Sequence, residues 1–411
     1  MPVNPTVWVV PGLLGSHLYT RLPRGIQRAR HIWYNVGSIA ACLTELLRGT
    51  TRGDIVPRGV LDNLEPLLHH LQRTRPVGVD VFPYSWDWRQ GVVEEGATLA
   101  DLLEQTAEGA AGSQYLACHS LGGMLARVAW RKLVERGKGF IVKRIVTIGT
   151  PHRGSYATAQ TWCEQNSSMN SFAVAKRGPF NIPLPHFLAL QEGINVGAYS
   201  LFASWTAPYE TLPIPDAQGV EVDPLRPTVY DATTWAASYA SPPQSLLDLA
   251  RNEWWPYIAA PASMPPADVL RCVAGRGMQT AQRLVAPSFF NGRALHGNPL
   301  RGLGLILRAN RLGRLPSFLV DEEGDGSVPI GSAIIPGREA LVVLGEHSAL
   351  PSHPAILERI WGLLFDAPLP EPPPPVVVTD PGYHPQFTPP DLGQPSVRFR
   401  PCCHNRESAP C

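Results

Sequence analysis

The sequence of 411 residues predicts an α/β fold, with a mostly parallel sheet, helices on both faces and an inserted cap. Uninterrupted β-branched and apolar runs, such as residues 6–10 and 142–148, are typical of buried parallel strands. These runs alternate with helical spacing of apolar residues up to about residue 155, and the rhythm resumes at residues 268–274. Strands that alternate with helices indicate crossover units, which build a parallel sheet covered by helices.

The spacing of apolar residues predicts the individual strands and helices. Short β-branched or aromatic runs predict strands at 6–10, 77–83, 115–118, 142–148, 268–274, 316–320 and 340–344, with an extended piece at 32–35. Helical spacing predicts helices at 39–47, 61–72, 98–106, 124–134 and 355–365, and a basic helical piece at 303–314. A glycine-bearing loop at 11–17 follows the first strand.

Two stretches depart from this rhythm. Residues 156–266 are rich in proline and aromatic residues and hold five of the eleven tryptophans, without a strand rhythm. We interpret this cap segment as an insertion over the sheet edge within an α/β domain that spans residues 1–365. The composition changes at residue 366, and a run of four prolines at 372–375 favours polyproline II. The sequence therefore predicts a proline-rich, mostly disordered tail at 366–411.

Composition narrows the class of protein. The formal net charge is +1, with 35 basic and 34 acidic residues, so charge favours neither nucleic acid as a partner nor electrostatic docking to a membrane. No apolar run approaches 18 residues, and the chain start passes directly into a strand, so we expect no transmembrane helix or signal peptide. Seven scattered cysteines without a C-x-x-C pair indicate reduced thiols and a cytoplasmic protein.

The stretch with the strongest chemical signal is residues 114–123, Gln-Tyr-Leu-Ala-Cys-His-Ser-Leu-Gly-Gly. An apolar strand, a turn at Ser120 and a helical pattern follow one another, as in the G-x-S-x-G turn that presents a nucleophilic serine. Gly122 and Gly123 supply the small residues that such a turn needs, although Cys118 replaces the first glycine. The alternative is a serine that only caps the following helix.

A serine nucleophile needs a base, and an acid that orients the base. The expected chain order is serine, acid, histidine, each just after a strand, and Ser120, Asp325 and His347 fit it. Asp321 is the rival acid and His353 the rival base. A calcium loop around the acidic turn fails, because its twelfth position would be a serine where a bidentate glutamate is required.

Acyl transfer also needs two backbone N–H groups that stabilise the oxyanion. One would come from Leu121, directly after the nucleophile, and the other from Leu13 or Leu14 in the loop after the first strand. The sequence contains no phosphate-binding G-x-x-x-x-G-K-[ST] loop and no zinc-binding H-E-x-x-H or finger-type spacing, so we expect no cofactor and no metal.

Several motifs occur together and in one order. They are Val-Pro-Gly-Leu-Leu-Gly-Ser (10–16), Pro-Tyr-Ser-Trp-Asp-Trp-Arg (83–89), Cys-His-Ser-Leu-Gly-Gly (118–123), Gly-Thr-Pro-His-Arg-Gly-Ser (149–155), Gly-Asp-Gly-Ser-Val-Pro (324–329) and Glu-His (346–347). With these motifs the chain resembles an α/β-hydrolase of the lipase type, and within that group the lecithin:cholesterol acyltransferase and lysosomal phospholipase branch. The resemblance implies Ser120 as nucleophile, Asp325 as acid, His347 as base, and Leu13 and Leu121 as oxyanion donors.

The sequence thus predicts a serine hydrolase that cleaves carboxylic esters of lipid-like or other hydrophobic substrates through an acyl-enzyme. An O-acyltransferase is the alternative enzyme, because it shares the acyl-enzyme and differs only in the acceptor. A non-catalytic scaffold that uses the proline-rich tail is the alternative of another class. The expected partner is a small ester or lipid, and the aromatic cap segment allows transient contact with a lipid interface; nothing in the sequence indicates an oligomeric state.

Overall fold

The computed structural model describes residues 4–20, 31–33, 55–61, 63–108, 113–162, 202–214, 229–235, 238, 241–285 and 317–365. The chain divides into two units, Met1–Leu369 and Pro370–Cys411, and every described residue belongs to the first. The helices predicted at 39–47 and 303–314, much of the cap segment and the tail at 366–411 lie outside the described residues.

The described strands and helices are numbered in chain order. The strands are β1 (Thr6–Val10), β2 (Ser16–Thr20), β3 (His31–Trp33), β4 (Ile55–Val60), β5 (Asp80–Pro83), β6 (Gln114–His119), β7 (Val142–Ile148), β8 (Leu270–Arg276), β9 (Thr280–Val285), β10 (Ser317–Asp321) and β11 (Ala340–Leu344). The α-helices are α1 (Glu65–Thr74), α2 (Val92–Glu108), α3 (Gly122–Glu135), α4 (Ala157–Trp162), α5 (Gln244–Leu249), α6 (Trp255–Ala259), α7 (Ile330–Ala333) and α8 (Pro354–Phe365).

Six strands form one sheet in the order β11-β8-β7-β6-β1-β5, and every neighbouring pair in it is parallel. Both faces of this sheet are covered, because successive side chains of β1 enter different cores. Trp8 and Val10 lie in a cluster with side chains of α2 and α3, whereas Val7 and Val9 pack with side chains of α1 and α8. This arrangement explains the uninterrupted apolar sequences of the central strands.

A parallel sheet between two helical layers, with a serine turn between β6 and α3, is the α/β-hydrolase fold that the sequence predicts. The predicted bounds of β1, β7 and β11 agree with the structure, and the other predicted strands of this sheet are shifted at one or both ends. The helix predicted at 61–72 is α1, which begins at Glu65 instead.

Some strands are absent from the prediction. The loop predicted at 11–17 ends earlier, because β2 begins at Ser16 and pairs antiparallel with β3 and β4 in a separate three-stranded sheet. β9 pairs antiparallel with β10 and forms a two-stranded sheet of its own. β4 contains Pro57 and Gly59, and β2 and β9 mix polar with apolar residues, so none of them shows the apolar run of a buried strand.

The described parts of the cap segment consist of short helices and connecting turns and contain no strand. Its five tryptophans are all buried in the core cluster that α2 and α3 also join: Trp162, Trp205, Trp235, Trp254 and Trp255. Packing in the core therefore explains the presence of these aromatic side chains in the cap segment. Among the described residues, no helix combines the length and apolar character needed to cross a membrane.

Candidate active site

Ser120 stands at the sharp turn between β6 and α3. Its backbone φ is 54°, in the left-handed region that a serine rarely adopts. The turn is held by the Ser120 N–H, which donates to the carbonyl of Ile148 at 2.8 Å, and by the Thr150 hydroxyl, which donates to the Ser120 carbonyl at 2.7 Å. A Cβ at Gly122 would lie 2.6 Å from the carbonyl oxygen of Pro11, so only glycine fits this position of the turn.

Cys118 occupies the position where a glycine usually opens such a turn. Its side chain is fully buried in the core, and burial raises the pKa of its thiol above the ordinary value. The thiol therefore acts as a small apolar side chain, which is compatible with the tight turn.

Three side chains from three separate loops meet beside this turn. His347 Nε2 lies 2.9 Å from Ser120 Oγ, and His347 Nδ1 lies 2.8 Å from Asp325 Oδ2. Asp325 Oδ1 accepts the N–H groups of Ser327 at 3.0 Å and Val328 at 2.7 Å. The acid, the base and the serine that the sequence singles out thus form one continuous chain of hydrogen bonds.

Asp325 reaches the site by a route that differs from the predicted one. The sequence assigns it to the loop after a strand of the parallel sheet, but β10 pairs only with β9, outside that sheet. The chain returns from β10 to the end of β8, where a Cβ at Gly275 would lie 2.7 Å from Asp325 Cβ. The hairpin β9–β10 is therefore an insertion between β8 and the acidic residue, and a glycine at the end of β8 leaves room for the carboxylate.

The hydrogen bond to Asp325 fixes which nitrogen of His347 carries the proton. The carboxylate of Asp325 only accepts hydrogen bonds, so Nδ1 of His347 carries the proton and Nε2 is left as an acceptor for the Ser120 hydroxyl. Burial disfavours the imidazolium, but the charge of Asp325 and its hydrogen bond, with a contribution from Glu346, outweigh burial and raise the pKa of His347 above its ordinary value.

The rival acid and base lie elsewhere. Asp321 is exposed and accepts Gln282 Nε2 at 2.7 Å and the Glu323 N–H at 2.9 Å. His353 Nε2 lies 3.1 Å from the carbonyl oxygen of Leu344, and its Nδ1 accepts the N–H of Ala355 at the start of α8. The structure brings Asp325 and His347 to the serine, and it assigns Asp321 and His353 to local turn and helix-end contacts.

The loop after β1 lies directly against the serine. A Cβ at Gly12 would be 2.5 Å from Ser120 Cβ and 3.1 Å from Ser120 Oγ. The Gly15 N–H donates to the Gly12 carbonyl at 3.1 Å and closes a turn in which Leu14 has a φ of 63°. We call residues 11–16 the oxyanion loop, after the role that the sequence predicts for it.

The two predicted oxyanion donors belong to the two segments that meet at this contact. Leu13 stands in the oxyanion loop one residue after Gly12, and Leu121 follows Ser120 in the turn. Within the described part of the chain, neither the N–H of Leu13 nor that of Leu121 donates to another group. Backbone donors without an internal acceptor, in two segments that meet at a serine, can stabilise a negative oxygen that forms there.

His119 is a site residue whose position the sequence does not reveal. Its Nε2 lies 3.0 Å from the carbonyl oxygen of His347, and the centroids of the two rings are 4.9 Å apart. Burial, followed by the charge of His347, lowers the pKa of His119 to about 3. His119 is therefore neutral near pH 7 and donates its Nε2–H to the backbone of the catalytic-base candidate.

Across the described residues, no group of three or more histidine, cysteine, aspartate or glutamate side chains could hold a metal ion. The arrangement can activate a hydroxyl for attack on a carbonyl carbon and stabilise the oxygen anion that results.

No protein-family model matches the chain, and no curated protein sequence matches it. Among solved structures, the mature Bacillus licheniformis lipase BlEst2 is similar with a TM-score of 0.38 and 14% identity, over 89% of this chain and 93% of that chain. The Tle4–Tli4 complex gives 0.47 and 12%, over 89% and 98% of the two chains. The metagenomic carboxyl esterase MGS0156 gives 0.37 and 14%, over 89% and 78%.

Proposed function

We propose that this protein is a serine hydrolase that cleaves carboxylic esters through an acyl-enzyme, with Ser120 as nucleophile, His347 as base and Asp325 as the orienting acid. The observation that carries the proposal is the continuous hydrogen-bond chain from Ser120 Oγ through both ring nitrogens of His347 to a buried carboxylate. A serine that served only as a helix cap would need neither the histidine nor the acid.

The first half of the reaction forms the acyl-enzyme. His347 Nε2 takes the Ser120 proton as Oγ bonds to the carbonyl carbon, and the carbonyl oxygen becomes an oxyanion. The N–H groups of Leu13 and Leu121 stabilise that negative charge. The imidazolium then gives its proton to the alkoxide oxygen as the carbon–oxygen bond breaks, and the alcohol leaves.

The second half regenerates the serine. His347 takes a proton from water, the hydroxide adds to the acyl carbon, and the intermediate collapses with expulsion of Ser120 Oγ, which regains its proton from His347. The carboxylate of Asp325 stabilises the imidazolium. Every proton moves between serine, histidine, substrate and water, so this chemistry calls for no cofactor.

For the substrate class we propose lipid-like or other hydrophobic esters, with transient contact between the cap segment and a lipid interface. The support is the apolar, aromatic composition of the cap segment and the motifs shared with the lecithin:cholesterol acyltransferase and lysosomal phospholipase branch. An alcohol in place of water would turn the same acyl-enzyme into an O-acyltransferase.

The mechanism is tested with a fluorophosphonate, which phosphonylates an activated serine. We expect label on Ser120 in the wild type, none in Ser120→Ala, and full labelling in the matched control Ser348→Ala. Ser348 is next to His347, but its hydroxyl bonds to Glu346 at 3.2 Å, so its loss leaves the hydrogen-bond chain intact. Label at another residue, or ester turnover that survives in Ser120→Ala, would disprove the mechanism.

The substrate class is tested with p-nitrophenyl esters of increasing acyl length, with and without an added alcohol. A rate that rises with chain length supports a hydrophobic acyl site, and a strict preference for acetate contradicts it. Formation of the new ester at the expense of free acid would favour the acyltransferase, whereas acid alone favours the hydrolase.

A further inference from the structure

The motif at residues 83–89 has no part in the mechanism above, yet it contains two of the largest fully buried side chains in the described structure, Trp86 and Trp88. Its segment, which follows β5, runs beside the oxyanion loop. The polar atoms of both indoles find backbone acceptors there.

Three hydrogen bonds tie this segment to the two ends of the oxyanion loop. Trp86 Nε1 donates to the carbonyl of Pro11 at 2.8 Å, and the Trp86 N–H donates to Ser16 Oγ at 3.1 Å. Trp88 Nε1 donates to the carbonyl of Ser16 at 3.0 Å. These bonds bracket the turn from Gly12 to Gly15 on both sides.

The segment that carries the two indoles is itself held rigidly. Arg89 Nε lies 2.8 Å from Asp87 Oδ1 and Arg89 Nη2 lies 2.6 Å from Asp87 Oδ2, which is a bidentate ion pair. The side chain of Arg89 is only 2% exposed. Breaking a buried bidentate pair would leave a buried charge without a partner, which is destabilising. The pair therefore fixes the backbone of the segment that carries Trp86 and Trp88.

The oxyanion loop needs such support because it is strained. Leu14 has a φ of 63°, a conformation that is unfavourable for a residue with a side chain and persists only where the surroundings enforce it. Without support, the loop would relax and the backbone that carries the Leu13 N–H would move.

We propose that Trp86 and Trp88 are positioning residues that hold the oxyanion loop in its strained, donor-ready conformation. This inference rests on the proposed function, since it gives the loop a catalytic role. Both side chains act through the backbone of Pro11 and Ser16 and do not touch the reacting atoms. Their loss should therefore lower transition-state stabilisation and leave substrate binding largely intact.

The test replaces each indole by a phenyl ring, which keeps most of the apolar volume and removes the N–H. For Trp86→Phe and Trp88→Phe we expect kcat to fall about 10- to 100-fold with KM nearly unchanged, because small misplacements of a catalytic donor have effects of this size. Affinity for a trifluoromethyl ketone, whose adduct with the serine carries an oxyanion, should fall by a similar factor.

Trp235→Phe is the matched control. Trp235 is fully buried and its Nε1 donates to the carbonyl of Val229 at 3.0 Å, so its hydrogen bond does not hold the oxyanion loop. We expect its kcat and ketone affinity to stay within about twofold of wild type, whereas its thermal stability falls like that of the other two variants. Should either of the other two fail to fold, Ser16→Ala, which removes only the acceptor for the Trp86 N–H, takes its place.

The outcomes separate the two proposals. If wild type hydrolyses esters and Ser120 is labelled, but the folded Trp86→Phe, Trp88→Phe and Ser16→Ala variants keep their kcat and ketone affinity, the positioning role is wrong. Equal losses of kcat in Trp235→Phe would also overturn it, because they would reduce the effect to general stability. Absence of label on wild-type Ser120 would overturn the proposed function instead.

Discussion

Replacing Asp325 with asparagine changes one atom of the site, and the structure dictates which way the new amide must face. Oδ1 of Asp325 accepts two backbone N–H groups, from Ser327 and Val328. An amide nitrogen cannot accept them, so the asparagine oxygen must stay at the Oδ1 position. The NH2 group then occupies the Oδ2 position, 2.8 Å from His347 Nδ1.

This orientation reverses the hydrogen bonds of the base. A donor opposite Nδ1 requires Nδ1 to accept, so the neutral ring carries its proton on Nε2 and donates to Ser120 Oγ. The serine then loses its proton acceptor, although all heavy atoms keep their places. The same exchange in a Ser-His-Asp triad lowers kcat about 10⁴-fold. For Asp325→Asn we therefore expect a loss of about 10⁴-fold, equivalent to about 5 kcal/mol of transition-state stabilisation.

The pH profile gives a second, independent readout. The pKa of His347 is raised in the wild type, and the base must be neutral to act, so the acid limb of kcat/KM should lie above about pH 6.5. Asp325→Asn removes the charge that opposes the effect of burial, so the acid limb of its residual activity should move to lower pH.

The assay is p-nitrophenyl ester hydrolysis from pH 5 to 9, with circular dichroism and thermal unfolding to establish that each variant is folded. Asp321→Asn is the matched control, because Asp321 is exposed and its carboxylate serves only Gln282 and Glu323. Its kcat should stay within a few-fold of wild type. A folded Asp325→Asn protein with more than a tenth of the wild-type kcat, or an equal loss in Asp321→Asn, would refute the reasoning.

Two further predictions use other buried titratable groups. His119→Phe keeps the ring beside His347 and removes the Nε2–H. We expect the plateau of kcat to fall several-fold while the acid limb of the pH profile stays in place. The limb should not move because His119, with a pKa of about 3, is already neutral in the pH range of that limb. A shift of that limb would contradict a neutral His119. Glu210 accepts the Val92 N–H at 2.6 Å, and burial, with a contribution from Glu94, raises its pKa to about 8. Its stabilising effect is complete below the unfolded value near 4.3 and is lost as pH rises through about 8. In urea unfolding, wild type should therefore lose several kcal/mol relative to Glu210→Gln between pH 4 and 9, and parallel curves for the two proteins would exclude the raised pKa.

The parts of the fold that the sequence predicts best are those in which one physical demand dominates. β1, β7 and β11 are short apolar runs, and their predicted bounds agree with the structure. β2 and β9 lie outside the main sheet and mix polar with apolar residues, so pattern alone did not distinguish them from loops. Their pairing depends on tertiary contacts that no local window contains.

In the candidate site, too, the sequence predicts some features and leaves others undetermined. Ser120, Asp325 and His347 could be chosen because each follows an apolar run and because acyl transfer needs these residue types in a fixed order. The route of Asp325 past the β9–β10 hairpin, and the contact of His119 with the His347 backbone, depend on distances between segments far apart in the chain. The motif at 83–89 was visible in the sequence, but its hydrogen bonds to the oxyanion loop were not.

Backbone strain links these observations. Among the described residues, only two non-glycine residues have a positive φ, Leu14 and Ser120, and the loops that carry them touch at Gly12. Each such conformation costs about 1–3 kcal/mol and must be enforced by its surroundings. At Ser120 the enforcement comes from Ile148 and Thr150, and at Leu14 from the tryptophans of the neighbouring segment. A glycine at either position would remove the strain, so folding alone does not explain why Leu14 and Ser120 are retained there. Both strained residues lie in segments that meet at the Ser120 hydroxyl. The strain is accounted for if Ser120 must project its hydroxyl and the oxyanion loop must present an N–H to the same carbonyl oxygen.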